Sequence, residues 1–125
     1  MDRWGSLLGI MCGGALGTLA RYLLSGWVQR GHGIPWGTAT VNLIGCFLAG
    51  FLWEITKTRW VLSDGWRDAL FIGVLGGLTT FSSYLLETHR LMDDQKFLIA
   101  GLNVLLQVAL GMAALYLGVR LVRWI

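Results

Sequence analysis

The stretch Gly76-Gly77-Leu78-Thr79-Thr80-Phe81-Ser82-Ser83-Tyr84 lies in the middle of an apolar segment long enough to cross a membrane. Paired glycines loosen a helix, and hydroxyls and backbone carbonyls of a loosened helix can bind an ion. Irregular backbone persists at membrane depth only where protein or a polar cavity covers it. The stretch therefore predicts a functional site rather than a simple lipid anchor.

The composition of the whole chain is that of a membrane protein. Of its 125 residues 55% are hydrophobic and 14% charged, and the mean hydropathy is +0.63, too apolar for an ordinary soluble domain. Four apolar segments, at about 4–28, 35–56, 66–88 and 97–121, each approach or exceed the roughly 20 residues that a spanning helix needs. The sequence predicts an all-α membrane protein with one four-helix transmembrane domain.

The basic residues are dispersed, and the net charge is only +3, so the pattern favours interfacial anchors in lipid and no nucleic-acid partner. Four spans place both termini on one side of the membrane. Six basic residues then lie on that side and four on the other: Arg3, Lys57, Arg59, Arg67, Arg120 and Arg123 against Arg21, Arg30, Arg90 and Lys96. Such a weak bias permits insertion in both orientations and hence an antiparallel dimer.

Polar side chains inside the spans are the candidate site residues, because they are costly in lipid and usually face a bundle interior or cavity. The second segment carries Thr38 and Asn42 four residues apart, and the fourth carries Asn103 and Gln107 at the same spacing, so each pair shares a helix face. No carboxylate lies at the centre of a span. Amide and hydroxyl donors suit a small anion better than a cation.

Aromatic residues and one arginine add to this donor set. Phe81 and Tyr84 are three residues apart and would project from one side of the third helix, offering the positive edges of their rings. Each residue also has an ordinary structural interpretation. The amides can be hydrogen-bonding links between helices, Arg21 can extend to the headgroups, and the two rings can simply pack.

Three blocks of this sequence resemble the CrcB/Fluc family of fluoride channels, in order and across the whole length. These blocks are Gly13-Gly14-Ala15-Leu16-Gly17-Thr18-Leu19-Ala20-Arg21-Tyr22, Gly37-Thr38-Ala39-Thr40-Val41-Asn42-Leu43-Ile44-Gly45-Cys46-Phe47, and the stretch from Gly76 to Tyr84. The resemblance implies a dual-topology, antiparallel homodimer with a third helix broken near its middle. It also implies two fluoride pathways and a multi-pass location in the inner (plasma) membrane of the cell.

The same resemblance implies roles for individual residues. A structural sodium ion at the dimer centre would be held by the backbone carbonyls of Gly76 and Thr79. The fluoride pathway would include Asn42, Phe81, Tyr84, Thr80, Ser83, Thr38, Asn103, Gln107 and Arg21, and the family's glutamate of the third helix falls on Glu87.

The sequence departs from the family at four positions. Tyr84 stands where phenylalanine is usual, which adds a hydroxyl that needs a partner. Asn103 and Gln107 stand where tyrosine and serine are common, and Cys46 where a small polar residue is frequent. These changes affect which polar side chains line the pathway, but they do not change the family that the sequence resembles.

We therefore expect a passive channel that lets cytoplasmic fluoride leave the cell down its electrochemical gradient and so protects against fluoride toxicity. The alternative is a small multidrug-type proton-coupled exporter, which needs an embedded glutamate in the first helix that this chain lacks. A structural or assembly-helper membrane protein is a third class. An enzyme is not expected, because no nucleophile–base pair, metal motif or phosphate loop lies at membrane depth.

Overall fold

Four helices in the computed structural model are long and apolar enough to cross a membrane, within the residues it describes, 3–29 and 34–125. This confirms the prediction of four spanning segments in an all-helical chain. They are helix α1 (Arg3–Val28), helix α2 (Trp36–Thr58), a third span (Asp64–Asp93) and a last helix (Phe97–Trp124). The link at residues 30–33, with the counted Arg30, lies outside the described residues.

The spans are longer than the apolar segments that predict them, above all at both ends of the third one. It begins at Asp64 rather than near residue 66 and ends at Asp93 rather than near residue 88. Charged residues occupy these extra turns. An apolar pattern marks only the part of a helix in hydrocarbon, whereas the helix itself continues into the headgroup region.

The third span is made of several pieces. Helix α3 (Asp64–Asp68) leads into wider π-helical turns (Ala69–Leu75), which continue as the short helix α4 (Gly76–Leu78). Thr79 (φ −90°, ψ 156°) and Thr80 (φ −151°, ψ 116°) are extended. Helix α5 (Phe81–Asp93) then follows, and helix α6 (Phe97–Trp124) completes the chain. Two β-branched threonines favour this extended conformation.

Small residues bring helix backbones close together at two contacts, one between α1 and the third span and one between α2 and α6. A Cβ added at Gly17 of α1 would meet the carbonyl oxygen of Val74 in the π-helical turns. A Cβ added at Gly118 of α6 would meet the carbonyl oxygen of Phe47 in α2. Close packing through small residues is how helices associate in lipid, where no hydrophobic force drives them together. The α2–α6 contact brings the polar faces of these two helices together.

The outer surface is apolar along the spans and has tryptophans near their ends. All seven tryptophans are exposed: Trp4, Trp27, Trp36, Trp53, Trp60, Trp66 and Trp124. At one end of the bundle the Arg123 Nε donates to the buried Glu54 carboxylate at 2.7 Å, joining α6 to α2. Exposed aromatic rings near helix ends are typical of residues at the two membrane interfaces.

Candidate functional site

The extended pair Thr79-Thr80 interrupts the helical hydrogen bonding of the third span. Thr80 serves as the N-cap of α5, because its Oγ1 accepts from the backbone N–H of Ser83 at 3.2 Å. Its own N–H donates to Asn42 Oδ1 at 2.9 Å instead of to the carbonyl of Gly76, as a continuous helix would require. The carbonyl of Gly76 is thus left without its helical partner at an exposed position.

Asn42 of α2 binds the interrupted backbone from both sides. Besides accepting from the Thr80 N–H, it donates through Nδ2 to the Thr80 carbonyl at 3.2 Å and to Gln107 Oε1 at 3.0 Å. Both hydrogens of its amide group are therefore engaged. Asn42 joins α2, the interruption in the third span and α6 at one point.

The hydrogen bonding continues along α6 as a chain of side chains. Gln107 Nε2 donates to Asn103 Oδ1 at 3.0 Å, and Asn103 Nδ2 donates to Thr88 Oγ1 at 2.8 Å. The Thr88 hydroxyl ends the chain by donating to the Tyr84 carbonyl at 2.8 Å. The one-face prediction for Asn103 and Gln107 is confirmed by this contact. Each of these two amides keeps one N–H beyond the bonds described.

Phe81 and Tyr84 lie side by side at the start of α5, with ring centroids 5.5 Å apart and planes at 49°. The three-residue spacing predicted this arrangement. Their surroundings differ, because Phe81 is 71% exposed and Tyr84 only 5%. The Tyr84 hydroxyl reaches the Val104 carbonyl at 3.5 Å, a long and weak hydrogen bond. Tyr84 is thus part of the subunit interior, whereas Phe81 projects from it.

A cavity of about 470 Å³ brings most of the predicted residues together. Its polar wall is formed by Asn42, Gln107 and the threonine pair, and its apolar wall includes both aromatic rings. The predicted residues that line it are Asn42, Gly76, Thr79, Thr80, Phe81, Tyr84 and Gln107, with Cys46 beside them. A mostly apolar cavity with a few convergent polar groups is the usual form of a small-ligand site.

The remaining predicted residues surround this cavity. Ser83 contacts it through Thr80, whose Oγ1 lies 3.0 Å from the Ser83 hydroxyl. Arg21 of α1 donates to the Thr79 carbonyl at 3.2 Å and is half-buried, so here it binds the interruption rather than extending to the headgroups. Asn103 does not line the cavity, but it accepts a hydrogen bond from Gln107, which does.

Thr38 and Glu87 form a separate polar contact one helical turn along α2 from Asn42. The Thr38 hydroxyl donates to Glu87 Oε1 at 2.6 Å. The other oxygen, Oε2, is buried and has no hydrogen-bond partner among the described residues. Glu87 lies well inside α5, which extends six residues beyond it, to Asp93. A buried oxygen without a donor is costly, so this carboxyl group needs a proton, water or ligand.

Comparison with known proteins gives a consistent result. The family model described as CrcB-like protein, Camphor Resistance (CrcB), matches residues 8–119. The fluoride-specific ion channel FluC of Geobacter metallireducens is 45% identical over 120 residues, which cover 94% of this chain and 97% of the relative.

Two further relatives carry the same name. FluC of Geotalea daltonii is 46% identical over 114 residues, covering 90% of this chain and 92% of its own. FluC of Nitrosococcus oceani is 38% identical over 117 residues, covering 92% and 94%. The family match at residues 8–119 overlaps all four spans, including the interrupted third one. The chain belongs to the CrcB family.

Proposed function

We propose that this protein is a fluoride-selective channel through which cytoplasmic fluoride leaves the cell passively, which protects it from fluoride toxicity. The observation that carries the proposal is family membership over nearly the whole chain, with relatives named as fluoride-specific ion channels. The cavity beside the Thr79-Thr80 interruption supplies a place for the ion, because a few polar groups converge within its apolar wall.

The main barrier for fluoride is the loss of its water. Selectivity in narrow pores comes from protein groups that replace the hydration shell. Here the replacements are the Ser83 hydroxyl, the remaining N–H groups of Asn103 and Gln107, and the ring edges of Phe81 and Tyr84. The Thr80 hydroxyl donates to Ser83 in the structure and would turn to the ion only by giving up that bond. Larger halides would be rejected by diameter.

Asn42 has a distinct part in this proposal. Both of its N–H groups are engaged within the subunit, so it would shape the pathway by fixing the Thr80 backbone and orienting Gln107. An arriving fluoride, a strong acceptor, would compete with the Thr80 carbonyl or Gln107 for an Asn42 hydrogen. Thr38 would continue the pathway along α2, with its hydroxyl donating to Glu87 in the neutral, protonated form, which does not repel an anion. Arg21 would support the pathway through Thr79.

The subunit alone leaves this pathway open on one side. Phe81 projects outward beside the cavity, and a second copy would supply the missing wall. We propose an antiparallel homodimer with dual topology. The weak charge bias between the two sides of the membrane supports it, since either orientation can insert. The inner (plasma) membrane is the proposed location.

The sodium ion that the family resemblance implies finds oxygen donors at the interruption. The Gly76 carbonyl has lost its helical partner, and the Thr79 carbonyl keeps one lone pair beyond its bond to Arg21. Hard cations prefer such oxygens. The positive Arg21 guanidinium beside Thr79 would repel a sodium ion there, so the Gly76 carbonyl would be the main ligand. A bound sodium would neutralise converging carbonyl dipoles at the dimer centre.

The proton-coupled exporter is not supported. Helix α1, Arg3–Val28, contains no acidic residue, and the relatives carry a channel name. If the protein were instead a structural or assembly-helper membrane protein, it would carry no ion flux.

A growth assay tests the proposal in cells. The gene is expressed in a bacterial strain that lacks its own fluoride export and stops growing in fluoride-containing medium. We expect wild-type protein to restore growth and Asn42→Asp to fail at equal membrane abundance. Failure of wild-type protein that is present in the membrane as a dimer would refute the proposed function.

A further inference from the structure

A second cavity lies where α2 ends and the third span begins, away from the polar site. It has a volume of about 230 Å³, several times the roughly 30 Å³ that one water molecule occupies in the liquid. None of its lining residues lines the central cavity. They are Trp53, Thr56, Lys57, Val61, Leu62 and Arg67.

One wall of this cavity is an ordered arrangement of rings and a guanidinium group. Trp53 packs edge-on against Phe71, with centroids 6.3 Å apart and planes at 87°. Arg67 lies over the Trp53 ring, with its Cζ 5.4 Å from the centroid. A cation–π contact of this kind positions the guanidinium without using its hydrogen-bond donors, which stay available to an acceptor.

The two cations of the cavity make no ion pair within residues 3–29 and 34–125. Salt bridges in that part of the chain join other groups. Glu54, three residues before Lys57, forms its salt bridge with Arg123 at 2.7 Å, and Lys57 attracts it only from beyond salt-bridge distance. Asp68, the neighbour of Arg67 in sequence, is not within salt-bridge distance of it either. Lys57 and Arg67 therefore offer two positive charges to one space.

The position of the cavity indicates the level of the membrane interface, because it lies between the end of α2 and the start of the third span. Exposed Trp60 and Trp66 flank it in sequence, and such rings concentrate at headgroup depth. Basic pockets between spanning helices at this depth suit anionic lipid headgroups. Arginine meets phosphate oxygens with a planar pair of donors, and lysine adds a point charge.

We infer that this cavity binds the phosphate group of an anionic phospholipid, with Arg67 and Lys57 as its ligands and Trp53 holding Arg67 in place. The lipid is favoured over free phosphate because its glycerol and acyl parts can lie against the apolar lining and the exposed tryptophans.

Native mass spectrometry of the purified protein tests this inference without reference to fluoride. Protein in detergent is mixed with phosphatidylglycerol or phosphatidylcholine, and the retained lipid is counted. We expect wild type to retain phosphatidylglycerol preferentially. Lys57→Gln/Arg67→Gln should weaken this retention about twenty-fivefold, the product of about fivefold for each basic residue near an anionic headgroup.

A matched control carries the same change in charge on the same predicted side of the membrane. Arg3→Gln/Arg120→Gln alters two exposed residues that do not line the cavity and should retain the lipid like wild type. Equal retention of both lipids by wild type, or equal losses in the two double variants, would overturn the inference. Displacement of phosphatidylglycerol by inorganic phosphate would also overturn it, by assigning the site to the free anion.

Discussion

Asn42→Asp changes the centre of the proposed pathway with almost no change in shape. The remaining oxygen can still accept from the Thr80 N–H, as Oδ1 does at 2.9 Å. The other position changes from a donor to an acceptor. It then faces the Thr80 carbonyl and Gln107 Oε1, which lie 3.2 and 3.0 Å from the present Nδ2. Two attractions become repulsions, and a negative charge enters an anion pathway.

The charge dominates the expected effect. Two like unit charges about 4 Å apart interact by about 4 kcal/mol at an effective dielectric constant near 20. At about 1.4 kcal/mol for each tenfold change in rate, the barrier to fluoride rises enough to slow flux about a thousandfold. Lost hydrogen bonds between membrane helices are worth about 0.6 kcal/mol each, so they alone would act far less.

Fluoride efflux from proteoliposomes, followed with a fluoride electrode, measures this effect. Asn42→Ala is the matched control, because it removes all three hydrogen bonds without adding charge. We expect Asn42→Ala to keep much more flux than Asn42→Asp, and both variants to remain dimeric in detergent. Wild-type flux in Asn42→Asp would refute the reasoning. Equal impairment in the two variants would assign Asn42 a purely structural role.

Three further changes have defined outcomes. Phe81→Ile should sharply reduce fluoride flux in the efflux assay while the dimer persists, because it removes the ring edge; near-normal flux would exclude that role. Gly118→Ala should destabilise the fold by about 1–3 kcal/mol through a clash with the backbone of α2, whereas Gly101→Ala, with open space around it, should not; equal thermal stability of the two variants would contradict the packing account. Arg123→Gln should lower thermal stability by leaving the buried Glu54 carboxylate unpaired, and Glu54→Gln/Arg123→Gln should recover part of the loss; no recovery would assign the loss to Arg123 packing.

The sequence predicted the number of spans and much of the polar face because both depend on local spacing. Runs of about 20 apolar residues imply spanning helices whatever they pack against. Asn103 and Gln107, four residues apart, lie on one face in any α-helix, and they bond to each other in the structure. Such features need no knowledge of the tertiary fold.

Contacts between distant parts of the chain were not predictable in the same way. Thr38 and Glu87 are 49 residues apart, and nothing in their spacing indicates that they meet. The π-helical turns at Ala69–Leu75 have no sequence signature either, because that run reads as an ordinary apolar helix. The two-sided binding of Thr80 by Asn42 likewise depends on how α2 packs against the interrupted span.

Selective release of fluoride is the most direct test of the central claim. Purified wild-type protein is reconstituted into liposomes loaded with equal fluoride and chloride, and both anions are followed with electrodes. The account predicts rapid fluoride release with chloride retained, and no release of either ion from protein-free liposomes. Absence of fluoride release from correctly reconstituted protein, or equal release of both anions, would contradict it.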